Sequence, residues 1–130
     1  MCETAPVPSL AYAYTQVLAH LSSRSLAMPL PPRDHRITLD AAAGLTRRYR
    51  ESSAKGAEHA GAFHADQVRE LLAQKGCVAM RVYYGKNEEG RGELVLVGID
   101  ENDKEMTGGI LLDVLFPCPP FCEDGSALNR

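Results

Sequence analysis

Two runs of residues between 77 and 99 constrain the fold more than any other part of the chain. The first, Cys77-Val78-Ala79-Met80-Arg81-Val82-Tyr83-Tyr84, is rich in β-branched and aromatic residues and stops at Gly85. The second, Leu94-Val95-Leu96-Val97-Gly98-Ile99, is an almost unbroken apolar run. Residues 86–93 between them include Asn87, Gly90 and Gly92, residue types that turn a chain back on itself. The two runs are therefore predicted to pair as an antiparallel hairpin over 77–99. Successive side chains of a strand point to opposite faces, so a strand apolar at every position needs cover on both. That cover must come from helices of the same chain or from another subunit.

Helical patterns precede the hairpin. After Pro8, Ser9 is a candidate N-cap for an amphipathic helix carrying Leu10, Ala13, Val17, Leu18 and Leu21. Pro29, Pro31, Pro32 and the charged group Arg33-Asp34-His35-Arg36 then resist both helix and strand, because prolines fix φ and remove donors. This run divides the chain into an N-terminal helix with its Pro-rich linker, 1–36, and an α+β domain, 37–130. Thr38 is predicted to cap a second helix, with Asp40 in its first turn and Leu39, Ala42, Leu45 and Tyr49 at helical spacing, ending near Ser52-Ser53. Residues 54–61 read as a loop. A third helix is predicted over 65–75, with His64 as cap, Gln67 at the capping-box position and Gly76 as a left-handed stop. Residues 110–116 fit a strand or a short helix, and Pro117, Pro119 and Pro120 are predicted to end regular structure. The expected fold class is α+β, with N-terminal helices packed on a small antiparallel β-meander.

Composition narrows the classes of function. The chain has 130 residues and a formal net charge of −3, enough length for one domain with its own core and an unpromising charge for a nucleic-acid binder. Residues 1–65 carry seven Lys/Arg and five Asp/Glu, and residues 66–130 carry seven and twelve, so the acid lies in the second half. It concentrates in the turns 86–92 and 100–105, where it keeps a hairpin soluble. No stretch of eighteen apolar residues is present to span a membrane. Residues 1–30 lack the basic start and unbroken apolar core of a secretory signal, so the expected compartment is the cytoplasm, with Cys2, Cys77, Cys118 and Cys122 mostly reduced. The sequence has no Gly-rich phosphate loop, no HExxH pair and no Gly-x-Ser-x-Gly elbow.

Gly76-Cys77-Val78 with Arg81-Val82-Tyr83-Tyr84-Gly85, then Leu94-Val95-Leu96-Val97-Gly98, then Cys118-Pro119-Pro120-Phe121-Cys122, resembles a group of small uncharacterised bacterial proteins. These share a helical first half and an ending with two cysteines around a Pro-Pro pair. The resemblance spans 37–122 and implies that the hairpin and the cysteine ending belong to one domain. It implies no activity, ligand or site residue.

Cys118 and Cys122 form the most distinctive local feature. Two thiolates at this spacing are half of a tetrahedral zinc site, whose other half would come from Cys77, Cys2, a His or a second copy of the chain. The pair could also close a small disulfide under oxidising conditions. Otherwise the prolines pin an extended segment while both cysteines act as small hydrophobes. Against redox chemistry, a reactive thiolate wants positive charge nearby, whereas Glu123 and Asp124 follow at once. Glu58, His59, His64 and Asp66 form the one cluster of His and carboxylates. His59 and His64 are candidate ligand-binding residues where a loop meets a helix start, or else a solvated loop and a capping side chain. Arg47, Arg48 and Arg50 around Tyr49 suit a helix C-terminus, and Arg81 is expected to lie on the outer sheet face or to pair with a carboxylate such as Glu93 across the hairpin.

The first expectation is a non-enzymatic interaction or assembly protein that self-associates, without a cofactor and with no nucleic-acid or membrane partner. The alternative is a Cys-based metal-binding (zinc) or thiol-redox protein using Cys118 and Cys122.

Overall fold

The computed structural model describes residues 29–130. The chain divides into two compact units, Met1–Pro31 and Pro32–Arg130. The helix expected over 10–21, and Cys2, lie outside the described residues. In chain order the described elements are α1 (Leu39–Ser52), β1 (Ala60–Ala62), α2 (Ala65–Leu72), β2 (Cys77–Lys86), β3 (Gly92–Asp100), β4 (Leu111–Leu112) and β5 (Phe116–Cys118).

The fold class is α+β, with an antiparallel meander in the order β2-β3-β4. The hairpin forms as expected, with Tyr84 opposite Leu94, Val82 opposite Leu96 and Met80 opposite Gly98, and a bulge between Cys77 and Ala79. The short β4 extends it by pairing Leu112 with Leu96 and Leu111 with Val97. Residues 110–116, open to either reading in the sequence, thus supply β4 and the start of β5. Leu96, Val97 and Ile99 are 5%, 2% and 1% exposed, so the apolar run of β3 is the core and is covered on both faces.

The helices contribute unequally. Thr38 caps α1 as predicted, its Oγ1 accepting from the Ala41 N–H at 3.2 Å, and Asp40 lies in the first turn. No residue of α1 is buried, however, and Leu45 is 56% exposed, which corrects the expectation that this helix packs on the sheet. Packing falls to α2, which contacts β2, β3 and β4 and whose Leu71 is fully buried. This helix ends at Leu72, short of the expected Lys75. Gln74 explains the early stop. Its Nε2 donates to the Leu71 carbonyl at 2.7 Å, satisfying one of the last orphan acceptors, while its Oε1 accepts from the Ile110 N–H at 2.8 Å. One side chain so ends the helix and anchors the approach to β4. Gly76, at φ +83°, turns the chain into β2 rather than capping the helix directly.

A second, two-stranded sheet joins β1 to β5, with Ala60 opposite Cys118, Gly61 opposite Pro117 and Ala62 opposite Phe116. Two expectations are corrected here: residues 54–61 are not all loop, and Pro117 lies inside a strand. On an outer strand a proline costs no ladder bond when its missing N–H would face away from the partner. Among the described residues no helix is long and apolar enough to cross a membrane.

Candidate functional site

The β1–β5 pairing brings together residues far apart in the sequence. His59 immediately precedes β1, and its backbone N–H donates to the Cys118 carbonyl at 2.9 Å, extending the ladder by one bond. The two residues are held side by side in consequence, with His59 Nε2 3.5 Å from Cys118 Sγ. Cys118 is buried and is joined by a disulfide to Cys122, with a Cα–Cα separation of 5.0 Å. Cys118 and Cys122, expected to be mostly reduced, are thus paired here, whereas Cys77 is a free thiol. The five-residue loop is already shaped by its backbone, with Phe121 N–H donating to Pro117 and Cys122 N–H to Pro120, each at 2.9 Å. Both peptide bonds preceding Pro119 and Pro120 are cis.

The imidazole has a second partner in Asn129, whose Oδ1 lies 2.8 Å from His59 Nε2. The amide is oriented by its other end, where Nδ2 donates to the Glu123 carbonyl at 3.4 Å. With Oδ1 facing the ring, Nε2 carries the proton and is a donor, both to Asn129 and toward the sulfur. The segment bearing Asn129 is held from α1, because the Arg50 guanidinium donates to the carbonyls of Leu128 and Arg130. Arg50 therefore serves the fold as a clamp in addition to complementing its helix end.

His59 Nε2 or Nδ1, Cys118 Sγ and Cys122 Sγ all lie within 4.8 Å of one another. Of the residues singled out in the sequence, Cys118, Cys122 and His59 converge. His64 does not join them; its ring sits edge-on to Phe116 at 5.4 Å, and Phe116 in turn meets Phe121 at 5.2 Å. It is the N-cap residue of α2 by position but makes no capping side-chain bond. Cys77 is a free, half-buried thiol whose Sγ donates to the Ala79 carbonyl at 3.3 Å. Asn129 and Arg50 were not singled out as parts of a site, and no spacing signal links them to residue 59.

Beside this cluster opens a cavity of about 510 Å³, whose lining includes His59, Glu58, Glu93, Leu115 and the rings of Tyr49 and Tyr84. Glu93 is held above the usual carboxylate range, chiefly by a hydrogen bond shared with Asp113, then by burial and by the like charge of that neighbour. Glu58 pairs with Arg91 at 3.4 Å. Arg81 pairs with a carboxylate as expected, though with Glu105 rather than Glu93. Its register partner is Val97, and its guanidinium donates to Glu105 at 2.7 Å.

Comparison with protein-family models, with curated proteins and with solved structures returned no match.

Proposed function

We propose that this protein is a thiol–disulfide redox protein whose active pair is Cys118 and Cys122, with His59 as its proton partner. The observation that carries the reading is the approach of His59 Nε2 to within 3.5 Å of Cys118 Sγ. The acidic neighbours Glu123 and Asp124 argued against a reactive thiolate. A donor imidazole delivered from another strand supplies what the local sequence lacks. A structural role for the disulfide is a weaker explanation. Closing a loop between residues four apart contributes only about 2 kcal/mol of chain entropy. Here backbone hydrogen bonds already fix much of that loop.

The chemistry is exchange with a dithiol. One thiolate of the dithiol attacks Cys122 Sγ, the more exposed sulfur; the disulfide breaks, and its electron pair leaves on Cys118, beside the His59 N–H. The second thiol of the dithiol, once deprotonated, attacks the mixed disulfide and releases Cys122 as a thiolate. The dithiol becomes a disulfide, and two electrons and two protons pass to the protein. The cytoplasm is the proposed compartment, where the thiol pool would keep the pair cycling. Equilibration with a graded ratio of reduced and oxidised dithiothreitol, followed by alkylation and mass measurement, tests the reading. A single reversible two-electron transition with retained circular dichroism is expected, with slower reduction in His59→Ala. A pair that stays oxidised until the protein unfolds sinks the reading.

Self-association is a second reading, favoured by β2. This ten-residue strand is the edge of its sheet, and along it Val78, Met80, Val82 and Tyr84 are 61%, 38%, 41% and 93% exposed. A long apolar edge is a template for pairing with a second copy. Sedimentation at micromolar concentration is expected to show a dimer that Val82→Lys abolishes. A monomer at every concentration removes this reading.

A further inference from the structure

We infer that the reduced protein binds a divalent metal ion of the zinc class through His59 Nε2, Cys118 Sγ and Cys122 Sγ, leaving one coordination position open. The inference rests on the reading that the disulfide is reversibly reduced. Its own support is geometric. Tetrahedral zinc with bonds of about 2.3 Å to sulfur and about 2.0 Å to nitrogen places S and N ligands about 3.5 Å apart and two sulfurs about 3.8 Å apart. His59 Nε2 and Cys118 Sγ already stand 3.5 Å apart, the length of that edge. The third ligand needs only that the two sulfurs separate to non-bonded distance, and cysteines whose Cα atoms are 5.0 Å apart can do so by side-chain rotation.

The donor set, two thiolates and an imidazole, suits zinc and other borderline-soft ions and is poorly matched to magnesium or calcium. Three protein ligands leave a fourth position for water or a substrate donor. His59 also lines the cavity of about 510 Å³. On its wall Glu58 pairs with Arg91 and Glu93 shares a hydrogen bond with Asp113, so neither is counted among the ligands. Binding displaces the two thiol protons and moves the ring proton from Nε2 to Nδ1, so Asn129 must release the ring nitrogen it now accepts from. The centre is then a switch. With thiolates the ion is held. Removal of two electrons by a disulfide oxidant rejoins Cys118 to Cys122 and expels it.

The test uses the full chain reduced with a phosphine, its free thiols counted before metal is added. Titration with cobalt(II) is expected to give the visible bands of a tetrahedral site and a sulfur-to-cobalt charge-transfer band, saturating at one equivalent. Zinc should bleach them, and a disulfide oxidant should release the ion to a chromogenic chelator. His59→Ala is expected to weaken binding by about a hundredfold or more, beyond the usual effect of losing an outer-sphere partner. His64→Ala, which removes a histidine that packs edge-on against Phe116 outside the cluster, should bind as tightly as the wild type. Protein with its thiols free but no tetrahedral cobalt spectrum overturns the metal site and leaves the redox reading standing. Thiols that cannot be freed without unfolding overturn both.

Discussion

Leu115 occupies the space that a side chain on Gly61 would need: a Cβ built on Gly61 would fall 2.8 Å from Leu115 Cδ2. Because Gly61 is the middle residue of β1 and pairs with Pro117, this contact packs Leu115 against the ladder that holds Cys118 beside His59. Gly61→Ala is therefore expected to cost about 1–3 kcal/mol by overpacking. It should also loosen the His59–Cys118 pair. Leu115→Ala in the same chain should recover part of the loss, because it opens the space that the new methyl requires. Chemical denaturation of the two single variants and the double variant measures the coupling; strictly additive effects would disprove the contact.

Glu105 receives two hydrogen bonds on one oxygen, from the Arg81 guanidinium and the Tyr83 hydroxyl. Its carboxyl is held below its ordinary value of 4.5, first by Tyr83 and then by Arg81. A depressed carboxylate stabilises the folded state fully above its unfolded pKa, and that contribution disappears as pH falls through the folded one. The wild type should thus lose thermal stability below about pH 4.5 more steeply than Glu105→Gln. Parallel melting curves from pH 6 to pH 3 would show that the pair carries no pH-dependent stability.

Glu93 works in the opposite direction. Sharing a hydrogen bond with Asp113 raises its carboxyl above 4.5, so the folded state keeps a proton that the unfolded chain has already lost. Stability then falls as pH rises from 4.5 through the raised value. Glu93→Gln preserves a donor toward Asp113 and removes the repulsion. It is expected to melt higher than the wild type at pH 8 and to differ less from it at pH 4. A variant that melts lower at pH 8 would mean that the carboxylate is compensated by Arg91, Lys86 or another cation near the cavity.

The hairpin and the Thr38 cap were legible in the sequence because each rests on local chemistry: β-branched alternation ended by glycines, and a hydroxyl beside the first helical turn. The α2 terminus was not. Gln74 is an unremarkable residue for a helix, and only the distant Ile110 N–H makes its side chain worth more as a bridge than as a further helical position. The second sheet was hidden for a related reason. Ala60-Gly61-Ala62 has no strand pattern, and Pro117 argues against one, so the pairing that joins them is visible only in three dimensions. The site follows the same rule. Cys118 and Cys122 stood out by their spacing, whereas the residue that stands beside them, His59, precedes Cys118 by 59 positions. The pairing of His59 with His64 rested on nearness in sequence; a strand and a helix start separate their roles.

The hold of Arg50 on the 126–130 segment leads to a prediction about Asn129. The guanidinium donates to the carbonyls on either side of Asn129, at Leu128 and Arg130, and Asn129 in turn meets His59. If the clamp places the amide, then Arg50→Ala and Asn129→Ala remove successive links of one chain of bonds rather than two independent contacts. Each single variant should cost about 1 kcal/mol, the usual net worth of a hydrogen bond at a partly exposed site. The double variant should cost less than the sum of the two, because an amide already released by Arg50→Ala has no further bond to lose, whereas the Arg50 bonds survive Asn129→Ala. Hydrogen exchange at the backbone of 126–130 should rise in Arg50→Ala and to a lesser extent in Asn129→Ala, where the clamp itself survives. Additive losses in the double variant would mean that Arg50 and Asn129 act separately, and that the orientation of the His59 ring is set by the β1–β5 ladder alone.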